Sequence, residues 1–456
     1  MRASPLAFWR VVLIAAMMLV CLSPATARAD SVARGRVLVR NAEVVITMDP
    51  RLGKGPLGII DKGDVLFEDE RIVEVGKGIS PRGARVLDAT GKIVMPGFVD
   101  THTHLWQSMI RGCGTDTDLN GWLTQCMLAV GQKMNAEQTY NAVRLSTADV
   151  ISTGVTTVTD WSHSFNTNFV DGNIRALIDS GLRFVYAYAF DFNRETDIRR
   201  VKREIIDRNP RARLQLASHP VPENVPAMQR MVQVADELHV DINTHLLENI
   251  ADRQADQIRS LEQAGALKST LMVNHAIHLT DSEIALLARR GVRIAHCPLS
   301  NMRLASGIIR MPELVNAHIK IGLGLDGGTN DTSDMFNLMR AAVGLQRAKF
   351  LKATATPTVA EVLRMATMGG AEVLGMQNEI GSLTPGKKAD LIVIDPHAIN
   401  FAPKVDWLAQ IVFNGQPRNV EYVVVHGRFL KVAGRLVNVW EDGLVNAAEK
   451  SREELN

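Results

Sequence analysis

Eight short apolar stretches, each followed by a longer amphipathic segment, constrain this chain more than any other feature. They run Ile93–His104, Thr156–Asp160, Arg183–Phe190, Arg213–His219, Val240–Leu246, Thr270–Ile277, Val292–Cys297 and Ile319–Asp326. Their Val, Ile and Leu content over a short length reads as strand. The stretches between them, such as Val225–Leu238, Arg253–Ala264 and Asp281–Arg290, carry a helical period. The last opens on Thr280-Asp281-Ser282-Glu283, where the acid three residues after the threonine is a capping box. Eight strand–helix units in series predict an α/β fold, a (β/α)8 TIM barrel. Outside it lie β-rich runs at Val37–Met48 and Asp64–Val75, and again at Ala389–Asp395, Val420–His426 and Arg428–Val432. Two- or three-stranded pieces are marginal in water, so both chain ends are expected to share one small β-sandwich. The expected layout is residues 30–91 and 380–445 for the sandwich and 92–379 for the barrel.

Functional groups on such a barrel sit at the C-terminal ends of its strands. The first strand closes with Pro96-Gly97-Phe98-Val99-Asp100-Thr101-His102-Thr103-His104. An i, i+2 spacing on a strand puts both imidazoles on one face. The fourth strand ends in His219 and the fifth in His245; the sixth carries His275, the seventh His296, and the eighth ends in Asp326. Six of the chain's 12 histidines at proposed strand ends is hard to ascribe to chance. Three imidazoles (His102, His104, His245) and one carboxylate (Asp326) are a zinc-type donor set that a water would complete. No Cys-x-x-Cys pair and no His-Glu-x-x-His occurs, which excludes zinc ribbons, zincins and the cytidine-deaminase type of zinc site.

Glu248 lies three residues beyond His245, where a carboxylate can reach a water on the metal and shuttle its proton. The bland alternative is a solvated acid at a helix start. In Asn274-His275-Ala276-Ile277-His278, strand alternation turns His275 away from its neighbours. His275 is read as the imidazole that backs the ligands or polarises the substrate, and His278 as outside the barrel. In His296-Cys297-Pro298-Leu299-Ser300-Asn301, either His296 or Asn301 touches substrate or the segment is a structural turn. The glycines of Gly322-Leu323-Gly324-Leu325-Asp326-Gly327-Gly328 are not followed by Gly-Lys-Ser/Thr, so they are no phosphate loop. They are expected to let the backbone close round Asp326.

The formal net charge is +2, which gives no basic field for nucleic acid or anionic lipid. Residues 1–29 read as a signal peptide: Arg2 and Arg10, an apolar Val11–Leu22, and Ala27-Arg28-Ala29 before Asp30. That run is too short to span a bilayer. Cleavage would remove three arginines, turn the net charge to −1 and leave an exported protein, periplasmic or secreted, without a membrane anchor. Cys113, Cys126 and Cys297 are no disulfide framework, although one bridge between Cys113 and Cys126 stays open.

These motifs, with Thr-His-Leu-Leu-Glu at 244–248, Asn-His-Ala-Ile-His-Leu-Thr at 274–280, Gly-Leu-Asp-Gly at 324–327 and Gly-Ser-Leu-Thr-Pro-Gly-Lys-Lys-Ala-Asp-Leu at 381–391, together resemble the amidohydrolase superfamily. The resemblance covers most of the chain after residue 29. Within the superfamily it is similar to the branch of triazine hydrolases and of S-adenosylhomocysteine/methylthioadenosine and guanine-type deaminases. That branch implies one metal per chain, Zn²⁺ with Fe²⁺ as the alternative. The binuclear branch carries a carboxylated lysine after the fourth strand, which here reads Leu216-Ala217-Ser218-His219. The resemblance also implies substrate contacts at His219 and at Gln107, three residues after His104. A glutamine solvating the first loop is the other reading of Gln107.

The resulting expectation is a metal-dependent hydrolytic deaminase of an amino-substituted N-heterocycle, a small purine, pterin or triazine-like molecule. A zinc ion lowers the pKa of a water it holds towards ~7. Asp326 accepts that water's proton, Glu248 delivers it to the ring nitrogen, and His275 holds the attacking oxygen. The alternatives are hydrolysis of a C–Cl, C–N-alkyl or cyclic amide bond at the same site, or an exported protein that only binds. Self-association into a homo-oligomer is left open.

Overall fold

The computed structural model describes residues 35–327 and 332–455, so the proposed signal peptide lies outside the described residues. Five strands come first: β1 (Arg36–Ile46), β2 (Ile59–Glu68), β3 (Arg71–Gly76), β4 (Ala84–Asp88) and β5 (Ile93–Pro96). The barrel strands follow: β6 (Phe98–Thr103), β7 (Val155–Ser162), β8 (Arg183–Ala189), β9 (Ala212–Ser218), β10 (Asp241–Leu246), β11 (Leu271–His275), β12 (Arg293–His296) and β13 (Ile321–Leu323). The chain ends with β14 (Leu391–Ile394), β15 (Val420–Val425), β16 (Arg428–Val432) and β17 (Arg435–Leu436).

Strands β6 to β13 are neighbours in sequence order and pair in parallel, with helices such as Ala136–Ser152, Thr167–Ser180 and Val225–Leu238 in the crossovers. This is the eight-stranded α/β barrel expected. No regular ladder joins β13 to β6 among the described residues. The ring is closed instead by a Thr103–Asp326 bridge, with Asp326 N–H donating to the His102 carbonyl at 2.7 Å and His104 N–H to the Asp326 carbonyl at 3.0 Å.

Both chain ends build a second, mixed sheet of nine strands in the order β17-β16-β15-β14-β5-β1-β2-β3, with β4 on β1. Phe67 on β2 and Phe429 on β16 have four strands between them in that order, yet their ring centroids are 6.3 Å apart. The sheet therefore folds back on itself. Val37, Val39, Val65 and Phe67 share one core with Val94, Leu391, Val424 and Phe429, so neither terminal half could bury its apolar face alone.

The stretch Ile93–His104, expected as one strand, is two. Residues 93–96 pair with β14 and β1 in the mixed sheet, and from Phe98 onward the chain pairs with β7 in the barrel. The change of sheet falls at Gly97, where a Cβ would lie 2.1 Å from Thr156 Cγ2. The apolar run was continuous across the junction, and only the steric need for glycine marked the change. The two layers are tied at Arg183, whose Nε and Nη2 donate to the Asp390 carboxylate at 2.7 and 3.2 Å with both side chains buried. Cys113 and Cys126 are disulfide-bonded, and Cys297 is free and buried.

Candidate metal and active site

His102 and His104 leave the end of β6 on one side, and His245 projects from β10. The ring centroids of His102 lie 4.8 Å from His104 and 4.9 Å from His245, and His104 and His245 are parallel at 5.4 Å. One ring nitrogen from each of the three lies within 4.8 Å of the others. His104 Nδ1 donates to the Trp161 carbonyl at 2.7 Å, which leaves Nε2 as its lone pair and fixes the ring's orientation. Both nitrogens of His102 and Nδ1 of His245 are buried without a hydrogen-bond partner. Unpaired buried nitrogens cost free energy unless something else takes them up. Burial, and then the neighbouring imidazoles, hold His102 and His245 well below the usual range; burial also lowers His104. The rings are therefore neutral, which is the state that binds a metal. Asp326 Oδ1 stands 3.7 Å from His102 Nε2 and 3.5 Å from His104 Nε2. This donor set of three imidazoles and a carboxylate fits a zinc-type ion.

Glu248, His275 and Asp326 form a second convergence, one ligand-type atom from each lying within 4.8 Å of the others. His275 Nε2 is 3.5 Å from Glu248 Oε2, and its Nδ1 is 3.0 Å from the Asn301 amide nitrogen. Burial pushes the Glu248 carboxyl well up, with Asp326 and Asp252 adding to the effect. Burial holds His275 at about 4 despite the nearby Asp326. Both His275 and Asp326 adopt positive φ, 69° and 61°. Non-glycine residues seldom do so, and such strain of about 1–3 kcal/mol collects at functional sites. Gly324 makes room for the turn: a Cβ there would be 2.9 Å from Cys297 Sγ and from His102 Cβ.

His219, after β9, is exposed and stacks on His245 at 5.1 Å. Gln107 is buried in the helical turn after His104, its Oε1 against Gly327. Asn301 reaches His275 rather than open space, while His296 is buried with Nδ1 unpartnered. His278 Nε2 bonds to the Ser306 carbonyl at 2.8 Å. A cavity of about 480 Å³ opens beside His104 and Asp326, walled by Ser108, Arg111, Ser146 and Asp149.

One histidine escaped the sequence reading. His163, just past the end of β7, has its ring 4.7 Å from His104 and 5.1 Å from Trp161. The rule that located the others, a histidine at a strand end, applies to it as well. The apolar pattern of the second strand stops at Asp160, two residues before its true end at Ser162, so the sequence does not mark His163 as a strand-end residue.

An α/β barrel with a histidine-lined, metal-type donor set at its strand ends is the architecture of the barrel hydrolases. The sequence pattern of the amidohydrolase family matches residues 93–430, and the chain belongs to that family. A 5'-deoxyadenosine deaminase of Methanobrevibacter smithii is 31% identical over 86% of this chain and 94% of its own length. A 5-methylthioadenosine/S-adenosylhomocysteine deaminase of Pelotomaculum thermopropionicum is 30% identical over 91% of this chain and 97% of its own length. Among solved structures, an adenosine deaminase from Xanthomonas campestris with bound zinc superposes with a TM-score of 0.83 at 28% identity, covering 92% of this chain and 98% of that one. These relatives overturn the expectation of a periplasmic or secreted protein, since they are deaminases of archaeal and bacterial metabolism. The segment that suggested export lies outside the described residues.

Proposed function

We propose that this protein is a metal-dependent aminohydrolase that replaces the exocyclic amino group of an adenine-type purine by oxygen, consuming water and releasing ammonia. The observation that carries the reading is the meeting of two clusters: the three converging imidazoles of His102, His104 and His245 and the Glu248–His275–Asp326 group. The named activities of the relatives supply the substrate class.

His102, His104, His245 and Asp326 would hold one ion, with zinc the first choice because the solved relative carries it. Bound there, a zinc ion supplies Lewis-acid activation of water at neutral pH. Glu248 is the proton carrier. Its raised carboxyl can hold a proton at neutral pH, as a general acid needs. It delivers its proton to the ring nitrogen beside the attacked carbon; Asp326 takes the first proton that water loses and passes it to the departing amino group, and the second proton of the attacking oxygen restores Glu248 as ammonia leaves. His275, braced by Asn301, orients the attacking oxygen. Asp326 combines ligation with proton acceptance, and Gln107 and His219 are the candidate heterocycle contacts.

The test is metal analysis of the purified protein together with ammonia release from 5'-deoxyadenosine, 5-methylthioadenosine, S-adenosylhomocysteine and adenosine. About one ion per chain and turnover of at least one of these purines is expected. A zinc-loaded protein that releases ammonia from none of them overturns the substrate class.

A further inference from the structure

The indole Nε1 of Trp106 lies 2.9 Å from His163 Nδ1. An indole N–H can only donate. His163 Nδ1 is therefore the bare, accepting nitrogen, and the ring's one proton sits on Nε2. The ring is also held in place. Phe165 stacks on it at 5.4 Å and 10°, Trp161 meets it edge-on at 5.1 Å, and Trp106 and Trp161 are themselves fully buried. No protein group among the described residues takes the Nε2 proton, and His163 is only half-buried. A fixed N–H donor without a protein acceptor thus stands 4.7 Å, ring to ring, from the candidate ligand His104. His219 stands on the same Trp161 at 5.1 Å, so this side of the site is aromatic.

We propose that His163 is a specificity-determining residue whose Nε2–H, fixed as a donor by Trp106, reads a ring-nitrogen acceptor of the purine held at the metal-type site. The inference rests on the deaminase reading for its ligand. A heterocycle lacking that acceptor would leave the donor desolvated and unpaired, and sites built on such hydrogen bonds discriminate strongly against the analogue that lacks the group.

Two measurements test it. The first needs no substrate: ¹⁵N NMR of the histidine side chains, with His163 assigned by its loss in His163→Phe. At neutral pH, His163 should show the Nε2-protonated neutral tautomer, and Trp106→Phe should mix the two tautomers. An Nδ1-protonated ring or an imidazolium in the wild type overturns the proposal whatever the enzyme's substrate. The second is calorimetric binding of adenosine, 3-deazaadenosine and 7-deazaadenosine to a Glu248→Gln protein, in which turnover should be slowed about 10²–10⁴-fold. One of the two analogues should bind about ten- to a hundredfold more weakly than adenosine. In Glu248→Gln/His163→Phe that gap should shrink to about twofold, and His163→Gln, whose amide can donate from a similar place, should restore part of it. Equal binding of all three compounds, or a gap that survives His163→Phe, overturns the proposal. If adenosine binds to no variant, the adenine-type substrate falls and the tautomer measurement still decides the role of His163.

Discussion

Glu248 and His102 both lie beside His275 and should fail in different ways. Glu248→Gln keeps the side chain's shape but cannot carry the proton, so kcat should fall by about 10²–10⁴ with metal content unchanged. Loss of the metal in that variant would make Glu248 a ligand and overturn the assignment. His102→Ala removes a donor that is wholly buried, so the protein should come off a column with little metal, and its Tm should no longer respond to a chelator. Burial also sets the pH dependence of metal loading. Protons compete with a metal for imidazole nitrogen below the imidazole pKa, ordinarily 6.5, and His102 and His245 are held well below it. Equilibrium dialysis should therefore find zinc affinity at pH 5.5 within about tenfold of that at pH 7.5. A fall of three decades would mean that the rings titrate as exposed histidines do. The four proposed ligands were legible in the sequence because strand alternation and strand-end position carry them. His163 obeys the same strand-end rule, one residue past Ser162, but the hydrogen bond that fixes its ring comes from Trp106, 57 positions away in the chain, and no local pattern shows it.

The barrel strands were legible because they are short, apolar and evenly interrupted, but the way the ring closes was not. It depends on side chains of β6 that the sequence presents as an ordinary strand interior. Asp100 Oδ1 accepts from His102 N–H at 3.2 Å and from Leu325 N–H at 2.9 Å. Thr101 and Thr103 hydroxyls donate to the carbonyls of Leu323 and Asp326. These contacts replace the missing ladder between the first and last strands and set His102 and Asp326 in register. Asp100→Ala would leave two buried N–H groups unpaired, which should cost about 2–5 kcal/mol and about 10–100-fold in metal affinity. Asp100→Asn keeps an accepting oxygen in the same place and should lose far less of both. Urea midpoints and zinc titrations check this, and equal damage from the two substitutions would show that acceptance by Oδ1 is not what Asp100 supplies.

At the scale of the whole molecule, the chain leaves the mixed sheet at Gly97 and returns to it at β14, so the barrel is an insertion between the two halves of that sheet. We take residues 35–96 and those from β14 onward as one unit and the barrel as the other. The Arg183–Asp390 pair joins them, and His426 N–H adds a bond to Asp390 at 2.7 Å. Burial opposes the charge on Arg183, and Asp390 more than restores it, so the guanidinium is held above its usual range. Such a pair gives little net stability relative to apolar residues, but losing one partner strands the other charge. Asp390→Leu alone should therefore destabilise by about 3–5 kcal/mol, and Arg183→Met/Asp390→Leu by much less. If the pair also couples the two units, Asp390→Leu should split urea unfolding into two transitions, with the mixed sheet, followed by hydrogen exchange of the β1 and β15 amides, melting first. A single, merely shifted transition in Asp390→Leu would mean that the apolar contacts between sheet and barrel hold the two together without the ion pair.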